Sequence, residues 1–406
     1  MDDLRALTDT CVHCGFCLPA CPTYQLWGEE MDSPRGRIHL LRQMLDGAPV
    51  TSTVAGHFDA CLGCLACVPA CPSGVRYDEI IPAARSIVEH SGAGRSFVDR
   101  ALRVAIFALF PYPRRMRAMR GPLRLARWLK LDAPRVAGRL HPSLGAMARL
   151  APPLLPRVRL PRRVAARPGG LPGARRAVVG LLTGCVQNAF FSHVSAATAR
   201  VLAMEGCDVV IPRRQGCCGA LAHHCGRTGP AERSAHRVAA VFARAGVDAV
   251  VTDVAGCGSF LKESGAVRAY DVAEFLDALG EPLARRHPLR LTVAYHDACH
   301  LSHGQGVRAQ PRALLAGIPG VRLVSPADPD TCCGSAGVYN LLQPDTATQL
   351  GATKAARLLD TGADVIAAGN PGCLLQIQAA LGAGSGPPVY HTIELLDASL
   401  RGERPG

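Results

Sequence analysis

The chain has 406 residues, of which 48% are hydrophobic and 19% charged, and its formal net charge is +13. This length and composition exclude a disordered chain and predict a globular protein of two or three domains. The longest apolar run, Val104 to Phe110, has seven residues, so no segment is predicted to span a bilayer as a helix.

The 18 cysteines predict metal or cluster binding rather than a secreted disulfide framework. Met1-Asp2-Asp3-Leu4 does not begin a signal peptide, because no basic stretch followed by an apolar run is present. The cysteines also fall into tight groups such as C-x-x-C, which in an intracellular protein favour metal. We therefore expect a cytoplasmic protein.

Residues 1–94 contain two cysteine groups of the form C-x-x-C-x-x-C-x-x-x-C-P, separated by a spacer of 39 residues. Three cysteines at this spacing let one loop ligate three irons of a cubane, and in two-cluster ferredoxins the fourth cysteine ligates the other cluster. The pattern predicts two [4Fe–4S] clusters. The expected ligands are Cys11, Cys14, Cys17 and Cys71 for one cluster and Cys61, Cys64, Cys67 and Cys21 for the other.

A pair of zinc sites is the alternative for these groups. Zinc prefers four ligands from two separate C-x-x-C halves and gives no reason for this longer repeated pattern. Because the thiolate sites are already full, His13 and His57 are expected to lie near the sites or at the surface rather than to ligate. The spacer predicts a helix over Pro34–Leu45.

Residues 95–176 contain no cysteine and form a predicted linker. They hold 20 Lys and Arg against two acids, a charge of +18, together with 11 prolines. Ser96 to Leu131 predicts basic amphipathic helices broken at Pro111, Pro113 and Pro122, and the part from Pro152 to Gly173 predicts an extended segment. The charge fits a solvated surface, docking to an acidic partner, or contact with anionic lipid. Nucleic-acid binding is disfavoured because no recognition motif is present.

Residues 177–406 alternate predicted strands and helices, which indicates βαβ units with parallel sheets. The predicted strands are 177–182, 209–211, 249–254, 291–295, 322–324 and 364–368, and the predicted helices are 191–204, 231–245 and 346–359. No G-x-G-x-x-G follows a strand, so no nucleotide site is predicted.

The same region repeats a set of four cysteines at offsets of 114, 115 and 116 residues, which indicates a duplication over 177–288 and 289–406. The sets are Cys185, Cys217, Cys218 and Cys257, then Cys299, Cys332, Cys333 and Cys373. Cys185 and Cys257 are expected to end strands, and parallel strands gather such groups at one edge. Gly219 and Gly334 are expected at positive φ or at a close backbone approach. The sets fit a further iron–sulfur cluster, zinc, or buried structural thiols, whereas Cys207 and Cys225 have no counterpart and fit structural roles.

The whole layout resembles the cysteine-rich CCG family, which includes heterodisulfide reductase subunits, the third subunit of anaerobic glycerol-3-phosphate dehydrogenase, and lactate-utilisation subunits. It is most similar to the glycolate oxidase (glycolate dehydrogenase) iron–sulfur subunits. The resemblance is carried by the segments 11–17, 21–25, 33–38, 71–77, 255–260 and 332–337. It covers nearly the whole chain and is weakest in the linker.

The resemblance implies an N-terminal α-helical two-cluster ferredoxin-like domain, followed by a duplicated βαβ-based domain with parallel sheets. It implies an electron-transfer subunit that takes electrons from an FAD-containing subunit oxidising glycolate to glyoxylate. The electrons then pass toward a quinone or another acceptor, with the chain at the inner face of the cell membrane. The alternatives are a related lactate or glycerol-3-phosphate dehydrogenase subunit, or a heterodisulfide-reductase-like enzyme.

One departure counts against disulfide reduction. In heterodisulfide-reductase-like members each unit ends in C-x-x-C, whereas Phe260 and Gln376 stand at the second cysteine position here. Three hypotheses therefore remain: an electron-transfer subunit, a self-sufficient thiol or disulfide reductase, and a zinc-organised binding protein.

Overall fold

The computed structural model describes residues 2–129, 138, 141–170, 175–382 and 386–405. Its N-terminal part is helical, and each cysteine loop lies between two helices. The helices are α1 (Asp2–Asp9), α2 (Pro22–Trp27), α3 (Pro34–Leu45), α4 (Ser52–Ala60) and α5 (Tyr77–Ser91), with a 3₁₀ turn at Glu30–Asp32.

Helix α3 has the bounds that the sequence predicts, and local chemistry explains its start. The Ser33 hydroxyl accepts a hydrogen bond from the Gly36 amide at 3.0 Å, and Pro34 occupies the first turn, where its missing N–H costs nothing. Its buried face contributes Ile38 and Leu41 to a core that also contains Phe58 of α4 and Ile80 of α5. This core holds both cysteine loops in place.

The basic segment forms four helices in the described part of the chain: α6 (Phe97–Leu109), α7 (Pro113–Ala118), α8 (Arg120–Trp128) and α9 (Pro142–Arg149). Pro111 and Pro113 lie between α6 and the body of α7, and a second break falls between Ala118 and Arg120. Pro122 lies in the first turn of α8, so the expected break occurs just before it, where a continuous helix would bring the proline ring against the Ala118 carbonyl. The predicted helix end at Leu131 and the predicted segment end at Gly173 lie outside the described residues.

Two mainly parallel sheets follow. The strands are β1 (Arg163–Val164), β2 (Ala177–Leu182), β3 (Cys207–Val210), β4 (Ala249–Thr252), β5 (Ala269–Asp271), β6 (Leu291–His296), β7 (Val321–Val324), β8 (Val365–Ala368) and β9 (Val389–His391). All of these strands are parallel except β1. The first sheet has the strand order β1-β3-β2-β4-β5 and the second has β7-β6-β8-β9. Apart from β1, the two sheets share one order, so the duplication and the fold class are confirmed.

Three strands were not predicted from the sequence. Strands β5 and β9 have three residues each, and β1 has two residues that pair antiparallel with β3. Strand β1 lies in the segment predicted as a linker, and the Arg163 guanidinium donates to Asp208 of β3 at 2.6 Å. Strands this short carry no readable alternation of polar and apolar residues.

The helices of the two units cover both sheets and share one large core. They are α10 (Val186–Phe190), α11 (Ser192–Met204), α12 (Ala220–His224), α13 (Thr228–Ala243), α14 (Ala255–Glu263), α15 (Val272–Ala278), α16 (Cys299–Ser302), α17 (Ala309–Ala316), α18 (Tyr339–Leu342), α19 (Pro344–Leu359), α20 (Pro371–Leu381) and α21 (Thr392–Arg401). Helices α11 and α21 pack together, and Arg200 forms a bidentate pair with Asp397 across them at 2.7 and 2.9 Å. Within the described ranges, no helix is both long and apolar enough to cross a membrane.

Candidate iron–sulfur sites

All 18 cysteines lie in the described residues and none forms a disulfide. Eight of them line two neighbouring cavities of the N-terminal domain. Cys11, Cys14, Cys17 and Cys71 face the first cavity together with Cys67, and Cys61, Cys64, Cys67 and Cys21 face the second. Each cavity therefore combines three cysteines of one loop with the fourth cysteine of the other. Four thiols with no disulfide partner are a donor set that fits an iron–sulfur cluster.

The two cavities differ in exposure. Cys14 is exposed, and Val12 and Phe16 beside it are 68% and 64% exposed. Cys61, Cys64 and Cys67 are buried. The first loop therefore faces the outside of the protein and the second loop faces its interior.

A buried cation lies beside the second cavity. Arg37 is 1% exposed, and its guanidinium donates to the Asp32 carboxylate at 3.1 Å, to the Thr23 hydroxyl at 3.3 Å and to the His57 carbonyl at 2.6 Å. Burial raises the pKa of Cys61, but the positive charges of Arg37 and Arg85 outweigh it, so the net effect lowers that pKa. These charges favour the thiolate form, which is the form that binds metal.

Within the described part of the chain, neither of the two histidines near these loops belongs to a group of side chains close enough to share a metal ion. His57 places Nδ1 3.0 Å from the Asp32 carboxylate, so it belongs to the Arg37 hydrogen-bond network. Nε2 of His13 lies 3.5 Å from an Arg42 nitrogen at the surface.

The four thiols of the first CCG unit, which contains β2 to β5, form a contiguous set. Sγ of Cys218 lies 3.1 Å from Sγ of Cys257. Hydrogen bonds from Cys185 and Cys218 lower the pKa of Cys217 well below its usual value. Cys185 and Cys257 were both expected to end strands, and both expectations are wrong by a few residues. Strand β2 ends at Leu182, three residues before Cys185, and β4 ends at Thr252, so that Cys257 lies in the first turn of α14.

The second CCG unit, which contains β6 to β9, repeats this arrangement. Hydrogen bonding to Cys332, together with burial, raises the pKa of Cys299 well above its usual value, and Cys333 interacts with both Cys332 and Cys373. The Asn370 amide lies 3.5 Å from Sγ of Cys373. All four thiols are buried.

The glycines of both Cys-Cys-Gly motifs have the expected backbone conformation. Gly219 has φ +108° and Gly334 has φ +88°. A Cβ would lie 2.5 Å from the Ala231 carbonyl oxygen at Gly219 and 2.8 Å from the Ala347 carbonyl oxygen at Gly334. Only glycine therefore lets the paired cysteines turn while the backbone packs closely against α13 in the first unit and α19 in the second.

One large cavity of about 420 Å³ is lined by all eight of these cysteines, a feature that sequence reasoning missed. The linker helices supply apolar walls, including Leu109, Phe110, Met116 and Met119, and His224 and His300 also face the space. Sequence reasoning treated the two units separately, and their meeting depends on long-range packing that no local pattern encodes.

The N-terminal domain contacts the second unit directly. Leu62 and Cys64 of the second loop share an apolar cluster with Cys299 and Cys332. The Tyr339 hydroxyl donates to the Ala60 carbonyl at 3.1 Å across the same boundary. Between the first unit and the same domain, Arg85 donates to the His224 carbonyl at 2.8 Å.

Three protein-family models match the chain. A 4Fe-4S dicluster domain matches residues 8–75, the cysteine-rich CCG domain matches residues 179–262 and 293–378, and a linker region of glycolate oxidase iron-sulfur subunits matches residues 98–151. The dicluster match shows that the N-terminal domain binds two [4Fe–4S] clusters.

Curated relatives match over most of the chain. The probable glycolate oxidase iron-sulfur subunit of Bacillus subtilis is 36% identical over 91% of this chain and 88% of its own length. The glycolate oxidase iron-sulfur subunit of Escherichia coli is 34% identical over 97% of this chain and 94% of its own. Lactate utilization protein A of an Exiguobacterium is more distant, at 26% identity over 55% of this chain. The chain is thus an iron–sulfur electron-transfer subunit, and it belongs to the family of glycolate oxidase iron–sulfur subunits.

Proposed function

We propose that the chain takes electrons from an FAD-containing subunit that oxidises glycolate to glyoxylate, and delivers them toward a quinone. The names of the two full-length relatives support glycolate as the substrate of the partner. The observation that carries the proposal is the order of the thiol sites. An exposed loop at Cys14 is followed by a buried loop whose Cys64 packs against Cys299 and Cys332 of the second unit.

The proposed ligand sets follow the lining of the two N-terminal cavities. Cys11, Cys14, Cys17 and Cys71 hold one cluster, and Cys61, Cys64, Cys67 and Cys21 hold the other. Clusters bound there supply one-electron chemistry. The surrounding residues exclude water and set the local charge: Arg37 and Arg85 place positive charge beside Cys61, and the Gly63 amide donates to Sγ of Cys61 at 3.3 Å. The eight CCG cysteines are proposed ligands of further metal, in units over 177–288 and 289–406 that follow a ferredoxin-type domain (1–94) and a basic linker (95–176).

The shared cavity supports an apolar electron acceptor. Its volume is in the range of small-ligand sites, and apolar linker residues such as Phe110, Met116 and Leu123 line it beside the CCG thiols. The Nε2 atom of His300, which is 8% exposed, has no hydrogen-bond partner and is a polar group able to meet a quinone oxygen. An apolar body with oxygen atoms, such as a quinone, matches this lining.

The exposed first loop is the proposed contact with the flavoprotein. Changing Phe16 to Asp should slow reduction of the clusters by the flavoprotein with glycolate at least about tenfold, because exposed aromatic side chains dominate such contacts. Rapid mixing of the two purified subunits, without lipid, measures this rate. Phe97→Asp, which changes an even more exposed phenylalanine of the linker, should leave the rate unchanged. An unchanged rate in Phe16→Asp, with both clusters present, would refute this entry point.

The linker helices also support peripheral membrane contact. Phe97, Val104, Leu125 and Trp128 are 50% or more exposed on α6 and α8, among arginines that are attracted to anionic lipid. The apolar run 104–110 does not lie wholly at the surface, because Ile106 is 3% exposed and packs inward.

Vesicle sedimentation tests this contact. The chain should bind vesicles that contain phosphatidylglycerol, with binding weakened by salt because the attraction is partly ionic. Trp128→Ser should reduce binding several-fold, whereas Trp27→Ser, which changes the chain's other tryptophan, should not. Equal binding by both variants would rule out this face.

A further inference from the structure

His296 is the last residue of β6, and its side chain has an unusual environment. His296 is 1% exposed, and neither of its ring nitrogens has a hydrogen-bond partner among the described residues. A neutral imidazole carries one donor and one acceptor, and a buried polar group left unpaired is destabilising. An imidazole enclosed in this way therefore calls for a binding partner.

Two thiols of the second CCG unit lie beside this ring. A ring nitrogen of His296 and the sulfurs of Cys333 and Cys373 all lie within 4.8 Å of one another, and all three residues are buried. Imidazole and thiolate together suit iron or zinc.

The charged group that acts on this ring, Lys354, does not hydrogen-bond to it. The Lys354 ammonium donates to the carbonyls of Asp328 and Pro329 at 3.0 and 3.1 Å. Its hydrogen bonds are thus directed elsewhere, and a ring nitrogen of His296 lies beside the two sulfurs.

The first unit has no equivalent imidazole. Leu182 ends β2 three residues before Cys185, as His296 ends β6 three residues before Cys299. Leu182 is fully buried. The two units therefore present different donor sets at the same structural position, thiols alone in the first and thiols with an imidazole in the second.

We propose that His296 is a metal ligand in the second CCG unit, beside Cys333 and Cys373, so that the two units hold chemically different centres. This inference rests on the proposed metal binding by the CCG cysteines. Of the four thiols in the second unit, only Cys333 and Cys373 are grouped with this ring. The imidazole is therefore proposed to take a coordination position that a thiolate holds in the first unit. In Rieske centres the replacement of thiolate by neutral imidazole raises the reduction potential. If the metal is iron, the second unit, which Cys64 contacts, becomes the more readily reduced of the two.

Spectroscopy of the full-length chain, purified without oxygen, tests the ligand directly. Iron, sulfide and zinc are counted per chain, and pulsed EPR of the reduced protein, grown with ¹⁵N-histidine, detects nitrogen bound to iron. If the metal is zinc, X-ray absorption reports the nitrogen instead. Either signal in the unaltered protein supports the proposal. The absence of both, or second-unit cysteines that hold no metal, overturns it.

Two variants identify the histidine. His296→Leu, which copies the first unit, should lose the nitrogen signal and lower the metal content. His296→Cys should keep the metal, lose the nitrogen signal and, for an iron centre, lower its potential. His236→Leu, an exposed change on α13, is the matched control and should alter nothing. A nitrogen signal that persists in His296→Cys overturns the assignment of His296 as the ligand. The proposed function is tested separately, by measuring whether the flavoprotein reduces the N-terminal clusters.

Discussion

A Cys64→Ala variant is expected to lose one N-terminal cluster and to stop electron flow from glycolate to a quinone, because the proposed path then lacks its buried step. Cys64 belongs to the proposed second ligand set, and it packs against Cys299 and Cys332 of the CCG units. About four irons and four sulfides per chain should disappear. Turnover with quinone should fall to background, while the flavoprotein partner still reduces its own flavin.

Cys207→Ala is the matched control for this change. Cys207 is also buried, but it lies in β3 and has no counterpart in the second unit. Metal content and turnover should stay near those of the unaltered chain. Quinone turnover at the normal rate in Cys64→Ala, with the cluster lost, would mean that electrons bypass the second loop.

An Arg37→Leu variant is expected to lower the free energy of unfolding of the N-terminal domain by about 3–5 kcal/mol, because it leaves the buried Asp32 carboxylate without its cation. The Thr23 hydroxyl and the His57 carbonyl also lose a hydrogen bond. Denaturant titration of the cluster-loaded chain, followed by the visible absorbance of the clusters, measures the shift. Arg37→Lys keeps the positive charge, so its free energy of unfolding should lie between that of the unaltered chain and that of Arg37→Leu.

The surface pair of Arg5 and Asp46 provides the comparison. Their nitrogen and oxygen lie 2.7 Å apart, but the two side chains are 47% and 62% exposed. Because water screens such pairs, Arg5→Leu should change the free energy of unfolding by less than about 1 kcal/mol. Similar changes in the free energy of unfolding in Arg37→Leu and Arg5→Leu would show that the buried Arg37 pair stabilises the domain no more than a surface pair does.

The sequence was most informative where chemistry follows from local spacing. The two cysteine motifs, the helix over Pro34–Leu45 and the strand over Ala177–Leu182 could all be read from neighbouring residues, and the structure has both elements with these bounds. The repeated Cys-Cys-Gly motif likewise indicated a duplication that the two sheets share. In each case a motif or an apolar run of ordinary length was enough.

Features that depend on distant parts of the chain could not be predicted. Strand β9 exists because Val389 to His391 pair with β8, and the shared cavity exists because two units and the linker helices meet. In the sequence, Arg37 cannot be distinguished from other charged residues on a helix. Its contacts with Asp32 and Thr23 appear only in the structure. The sequence analysis did not single out His296, because the predicted strand ended at residue 295, and the ring nitrogens that lack partners among the described residues appear only in three dimensions.

The central claim is that electrons from glycolate enter this chain through its N-terminal domain. The most direct test is to mix the intact flavoprotein complex with glycolate without oxygen, freeze it within one turnover, and record the EPR spectrum. The account predicts that signals of reduced [4Fe–4S] clusters appear as the flavin is reoxidised, and that Cys64→Ala lacks one of them. A flavin that is reduced by glycolate while the clusters stay oxidised would contradict the account.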